Sequence, residues 1–228
     1  MIGVLPASGS ATRLNGLPKF ILPIDDGQSL LQWHVKLMSS ACASVTVLTR
    51  QCWIPLVQDL MLDATLVQKE PSTMADAVLH VAHNQSQDIV IGMPDVYIHN
   101  SRDNFYKKLV EGQGDIVLAT WDFIPETMNG KVGQVLADNV GNVLSVVDKD
   151  FDCDYPEMWG AILFRNSSTS LIDPAGGSVI SRINQWISEG VKVTRVKMSG
   201  EYIDAGTIEG LIRMYTTIGN LKKLPKGV

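Results

Sequence analysis

Short β-rich apolar runs alternate along this chain with longer stretches whose apolar residues recur at helical spacing, the pattern of βαβ units around a mostly parallel sheet. A first strand is predicted over residues 2–6. A helix follows over 30–42, with Ser29 as its N-cap and Leu30, Leu31, Val35, Leu37 and Met38 on its apolar face. Residues 45–49 read as a second strand, and 53–61 as a helix that takes Pro55 into its first turn. A short strand at 66–68 precedes a helix over 73–83, where Met74, Ala77, Val78 and Val81 share a face and Ser72 or Thr73 can cap. The run 88–95 is a buried strand ending in Asp95. A helix over 104–111 and a strand over 115–120 complete this half.

The pattern changes after residue 120. Gly130, Gly133, Gly141 and Gly160 punctuate short strands at 132–136 and 143–147 around a turn at 138–142, which suggests an antiparallel elaboration. A helix over 178–189 ends at Gly190, a strand covers 191–198, and a last helix covers 207–218, with a tail at 222–226 expected to fray.

Composition narrows the class. The 228 residues suit one domain, 45% are hydrophobic and only 19% charged, so disorder and coiled coil are excluded as the main architecture. A net charge of −5 gives no cationic field to hold a nucleic acid backbone. Cys42, Cys52 and Cys153 are odd in number and lack C-x-x-C spacing, which points away from disulfides and zinc and toward a reducing, cytoplasmic setting. The amino terminus has no basic leader, and no apolar run is long enough to span a bilayer.

Candidate chemistry sits in three places. The loop Pro6-Ala7-Ser8-Gly9-Ser10-Ala11-Thr12-Arg13 follows the first strand and is itself followed by Pro18-Lys19; it reads either as a phosphate cradle flanked by two cations or as a tight structural turn. It matches neither a Walker loop nor a G-x-G-x-x-G dinucleotide loop. Asp95 is a turn residue or a ligand at the carboxyl edge of the sheet, where open α/β folds bind. Asp204, in Tyr202-Ile203-Asp204-Ala205-Gly206-Thr207, is a turn acceptor or a metal ligand. The four histidines, His34, His80, His83 and His99, read as packing or surface residues, with no third ligand for the His80/His83 pair. Met158 and Trp159 line a pocket or belong to the core.

The order of these motifs resembles that of the sugar-1-phosphate nucleotidylyltransferases. The first loop with Arg13, then Pro18-Lys19 and Leu22-Pro23-Ile24, is similar to the family's amino-terminal signature. Val67-Gln68 and Thr73-Met74-Ala75-Asp76-Ala77 resemble its base-reading segment, and Gly92-Met93-Pro94-Asp95 stands where its metal-binding aspartate lies. Lys131-Val132-Gly133-Gln134-Val135, Val147-Asp148-Lys149 and Trp159-Gly160-Ala161 resemble its acceptor-side strands, and Tyr202-Ile203-Asp204-Ala205-Gly206-Thr207 matches its W-x-D-x-G-T motif. Ser8 and Ala11 replace glycines in the first loop, and Thr73 replaces a base-stacking glycine; a Cβ at each restricts backbone approach and bears on nucleotide preference.

The resemblance implies an α/β, Rossmann-like (GT-A-like) nucleotidyltransferase fold with helices on both faces of a mixed sheet. It implies a nucleotide-binding half at 1–120, an acceptor-binding half at 121–206 and a helix with its tail at 207–228. The implied reaction joins a nucleoside triphosphate to a sugar 1-phosphate and releases pyrophosphate with Mg²⁺. Arg13 and Lys19 would be catalytic, with Leu5, Ala7, Ser8, Gly9, Ser10, Ala11, Thr12, Gln68 and Thr73 around the nucleotide. Lys149, Trp159 and Gly160 would contact the acceptor, and Asp95 and Asp204 the metal. A cytidylyltransferase for a non-sugar phosphate and a weak nucleotide-binding homologue are the alternatives. The partners are small molecules, not nucleic acid or membrane, and a homo-oligomer is compatible with all of this.

Overall fold

β1 (Ile2–Ala7) is buried along nearly its whole length, and its uninterrupted apolar sequence reflects cover on both faces. The computed structural model describes residues 1–9, 16–25, 27–70, 74–82, 86–172 and 179–223. A hairpin of β2 (Pro23–Asp25) and β3 (Gln28–Ser29) leads into α1 (Leu30–Ser39). Ser29 caps this helix as expected: its Oγ accepts from the Gln32 N–H at 3.2 Å, and Gln32 Oε1 accepts from the Ser29 N–H at 2.8 Å. Two otherwise orphaned donors are satisfied at once.

β4 (Ser44–Thr49), α2 (Ile54–Asp59), β5 (Thr65–Gln68) and α3 (Met74–Ala82) follow, with Pro55 in the first turn of α2. The proposed caps Ser72 and Thr73, and His83, lie outside the described residues. β6 (Ile89–Gly92) is shorter than the predicted strand at 88–95. Pro94 has no ladder donor, and the chain turns there, with the Val96 N–H donating to the Met93 carbonyl at 3.3 Å. β7 (Val96–His99) is therefore a separate strand.

Asn104 caps α4 (Phe105–Val110), accepting from the Tyr106 N–H at 3.0 Å. Next come β8 (Ile116–Asp122), α5 (Pro125–Met128), β9 (Gly133–Ala137), β10 (Val143–Asp148) and β11 (Glu157–Phe164). The chain closes with α6 (Val179–Ser188), β12 (Val193–Lys197), β13 (Glu201–Asp204) and α7 (Ile208–Lys223). α7 continues past the predicted end at 218 and includes Lys222 and Lys223, expected to lie in a frayed tail. No proline intervenes before Pro225 to stop the helix earlier.

Among the described residues the central sheet has nine strands, paired in the order β5-β4-β1-β6-β11-β8-β12, with β9 joined to the first residues of β11 and β10 beyond it. β1, β4, β5, β6, β8, β9 and β12 share one direction; only β10 and β11 oppose it. This is a mixed, mostly parallel sheet whose antiparallel part is the predicted elaboration. One face packs on α1 and α4 through Leu31, Val35, Met38, Phe105 and Leu109, and the other on α3 and α6 through Val78, Ile183 and Trp186. Ile203, Met214 and Ile218 form a third cluster with Leu22 and Leu30, fastening α7 to the β2–β3 hairpin. Among the described residues no helix is long and apolar enough to cross a membrane.

Candidate active site

β7 and β13 form an antiparallel ribbon in which Asp204 stands opposite Val96. The Ala205 N–H donates to the Asp95 carbonyl at 3.0 Å, so the turn after β6 and the end of β13 are stitched together. Asp95 and Asp204, far apart in sequence, thereby face one site. Lys19, in the short 3₁₀ turn Lys19–Ile21, reaches the same place: its Nζ lies 3.7 Å from Asp95 Oδ2.

Gly206 occupies the centre of this group. Its N–H donates to Asp204 Oδ1 at 2.6 Å. A Cβ there would collide with Asp204 Oδ1 and fall 2.9 Å from Lys19 Nζ and 3.2 Å from Asp95 Oδ2. Three charged side chains thus converge on a space that only glycine leaves open. Loss of solvation and the neighbouring Asp204 charge push the Asp95 carboxyl above its ordinary value, and Lys19 offsets this only in part. A cation between the two carboxylates relieves that repulsion. No third histidine, cysteine or carboxylate joins them among the described residues. A pair of carboxylates completed by phosphate oxygens and water suits Mg²⁺, which seldom takes an all-protein cage. The donor set therefore fits the metal that the motif implied.

On the other side of β1, register places Ala7 opposite Thr49 and Thr49 opposite Gln68, so β1, β4 and β5 end in a row. Gln68 stands exposed at the end of that row. Leu5 is fully buried, Ala7 and Ser8 are buried, and Gly9 is exposed. The loop leaves β1 under two restraints: Thr49 Oγ1 donates to the Ala7 carbonyl at 3.3 Å, and Arg50 Nε to the Ser8 carbonyl at 2.6 Å. Arg50 had no motif to mark it; a cation directly after a strand that ends beside β1 was the available signal. Ser10, Ala11, Thr12, Arg13 and Thr73 lie outside the described residues.

The residues expected to contact the acceptor lie just beyond β10 and on β11. Lys149 is exposed just beyond β10, at a positive φ of 54°. Gly160 lies at a register shift of β11 and has no room for a Cβ, which would meet the rings of Tyr202 and Trp121. Met158 is fully buried core, whereas Trp159 is half-buried against the cluster on the α3–α6 face. A cleft of about 130 Å³ is bordered by Asp204, Tyr202, Thr207 and Lys131. Arg213 also lines it, donating to Thr127 Oγ1 at 2.8 Å and pairing with Glu201.

No protein-family model and no curated protein matches the sequence. The fold, however, is similar to that of a UDP-glucose pyrophosphorylase complexed with UDP-glucose, with a TM-score of 0.78 and 15% identity over 97% of this chain and 98% of that one. It is similar to a candidate glucose-1-phosphate thymidylyltransferase from Bacillus anthracis, with a TM-score of 0.74 and 17% identity over 100% and 98%. An inositol-1-phosphate CTP transferase from T. maritima gives 0.72 and 13% over 98% and 96%. At such identities the likeness shows the fold: this chain has the nucleotidyltransferase fold of these structures.

Proposed function

We propose that this chain is a nucleotidylyltransferase that joins a nucleoside triphosphate to a sugar 1-phosphate, forming a nucleotide sugar and pyrophosphate. The observation that carries this reading is the convergence of Lys19, Asp95 and Asp204 around the open space at Gly206. It lies at the carboxyl edge of the parallel strands, where such folds bind ligands. The fold shared with nucleotidyltransferases supports it.

An oxygen of the acceptor phosphate attacks the α-phosphorus; the new P–O bond forms as the bond to the β-phosphate oxygen breaks, and pyrophosphate leaves with its electrons. A phosphate monoester, with a second pKa of ~6, is largely ionised at neutral pH, so no side chain has to remove a proton. The residues have instead to hold two anions together and neutralise charge. Lys19 binds the triphosphate and stabilises departing pyrophosphate; Arg13 is assigned the same task from the other end of the loop. Asp95 and Asp204 hold Mg²⁺, which when bound neutralises phosphate charge and orients the oxygens. Gln68, at the end of the strand row, reads the base edge, and Lys149, Trp159 and Gly160 are assigned to the acceptor. A non-sugar phosphate is the second reading, because an inositol-1-phosphate CTP transferase shares the fold.

The test is pyrophosphate release measured over a matrix of nucleoside triphosphates and phosphorylated acceptors with Mg²⁺. Turnover with a sugar 1-phosphate is expected, and Lys19→Ala is expected to lower it by about 10²–10³-fold. A matrix without turnover would refute the enzyme; an undiminished Lys19→Ala would remove Lys19 from the mechanism.

A further inference from the structure

His34 is an ionisable group enclosed outside the site: it is 1% exposed on α1, and nothing in the proposed chemistry uses it. Both ring nitrogens are engaged, Nε2 with the Val96 carbonyl and Nδ1 with the Tyr106 hydroxyl, each at 2.8 Å. A carbonyl can only accept, so Nε2 carries the proton and Nδ1 accepts from the Tyr106 O–H. Burial lowers the His34 pKa to about 4, the Val96 carbonyl opposing the shift, which keeps this neutral arrangement at physiological pH.

The contacts frame one short segment. Tyr106 is fully buried on α4, and its hydroxyl lies so close to Gly92 that a Cβ there would overlap it. His34 grips the carbonyl of Val96. Between Gly92 and Val96 runs the turn that carries Asp95, whose own carbonyl is held from the opposite side by the Ala205 N–H. The His34 hydrogen bond therefore holds one end of the turn, and the Tyr106 hydroxyl, bonded to the same His34, packs against Gly92 at the other. An apolar residue in place of His34 would fill the volume but release the Val96 carbonyl.

We propose that His34 and Tyr106 are positioning residues for Asp95, setting the direction in which its carboxylate meets the metal. The inference rests on the reading of Asp95 as a metal ligand.

It is tested by Mn²⁺ binding to the full-length protein, followed through the electron paramagnetic resonance signal of the free ion, alongside thermal melts that confirm folding. His34→Phe is expected to weaken Mn²⁺ binding about tenfold, the lower end for partners standing behind a metal ligand. His34→Gln, whose amide N–H can still donate toward Val96, should restore most of the affinity. Tyr106→Phe, which removes one hydroxyl, should weaken it less than His34→Phe does and decides the matter if His34→Phe does not fold. Wild-type affinity in folded His34→Phe, or in Tyr106→Phe when it alone is folded, overturns the positioning role. Asp95→Asn separates the two readings: if it too binds Mn²⁺ like the wild type, Asp95 is not the ligand and both fall.

Discussion

At Gly206 one missing methyl group keeps a polar space open. The glycine is not required here for an unusual φ, since Gly206 is not among the positive-φ residues; it is required because two carboxylate oxygens and an ammonium surround the position a Cβ would take. Gly206→Ala should therefore lower turnover by about 10²-fold, the scale on which a displacement of roughly 1 Å acts, while circular dichroism remains native. Steady-state pyrophosphate release checks this, and an alanine variant of normal activity would show that the space is not used. Lys19 and Asp95 differ in how readily a sequence discloses them. Pro18-Lys19 belongs to a motif, but the fact that its ammonium neutralises Asp95 only in part depends on the 3.7 Å separation and on Asp204 beyond it.

Among the elements, α1 illustrates what local sequence determines. Its reciprocal cap is complete within four residues, so Ser29→Ala should cost about 1 kcal/mol, measured by urea unfolding, with turnover retained by the folded fraction. An unchanged unfolding midpoint would mean the cap is replaced by another partner. Local rules of this kind made the main strands and helices readable, together with the turn before β10 and the Gly190 stop after α6, where φ is +88°. β7 and β13 were not separated by those rules. Val96-Tyr97-Ile98-His99 alternates well enough for a strand, but its partner is more than a hundred positions away and no turn announces it. The same long-range pairing is what turns Asp95 and Asp204 into one site; their residue types and order were legible, and their meeting was implied only by the family resemblance, not by any local rule. His34 was hidden for a different reason: on an amphipathic helix a buried histidine resembles any packing residue until its two partners, from α4 and β7, are in place.

For the whole molecule, gathering charge at the site opposes stability. Asp95 has a higher pKa folded than unfolded, so the native state binds its proton more tightly. Ionised Asp95 thus destabilises the fold at neutral pH, and this cost disappears as pH falls below the unfolded carboxylate value of ~3.9. Asp95→Asn is expected to melt at a higher temperature than the wild type at pH 7, with the advantage shrinking on acidification; a lower melting temperature at pH 7 would contradict the sign. The ribbon that joins the two carboxylates also sets a schedule for the growing chain. All of β1, β4, β5 and β6, and with them the loop and strand row assigned to the nucleotide, leave the ribosome well before residue 201, whereas β7 must wait without its partner until β13 is made. Pairing over such a separation closes slowly. The nascent protein accordingly acquires the edge proposed for the nucleotide early and the second carboxylate proposed for the metal almost last, so a chain interrupted before β13 would carry that edge without the pair of acids proposed for transfer.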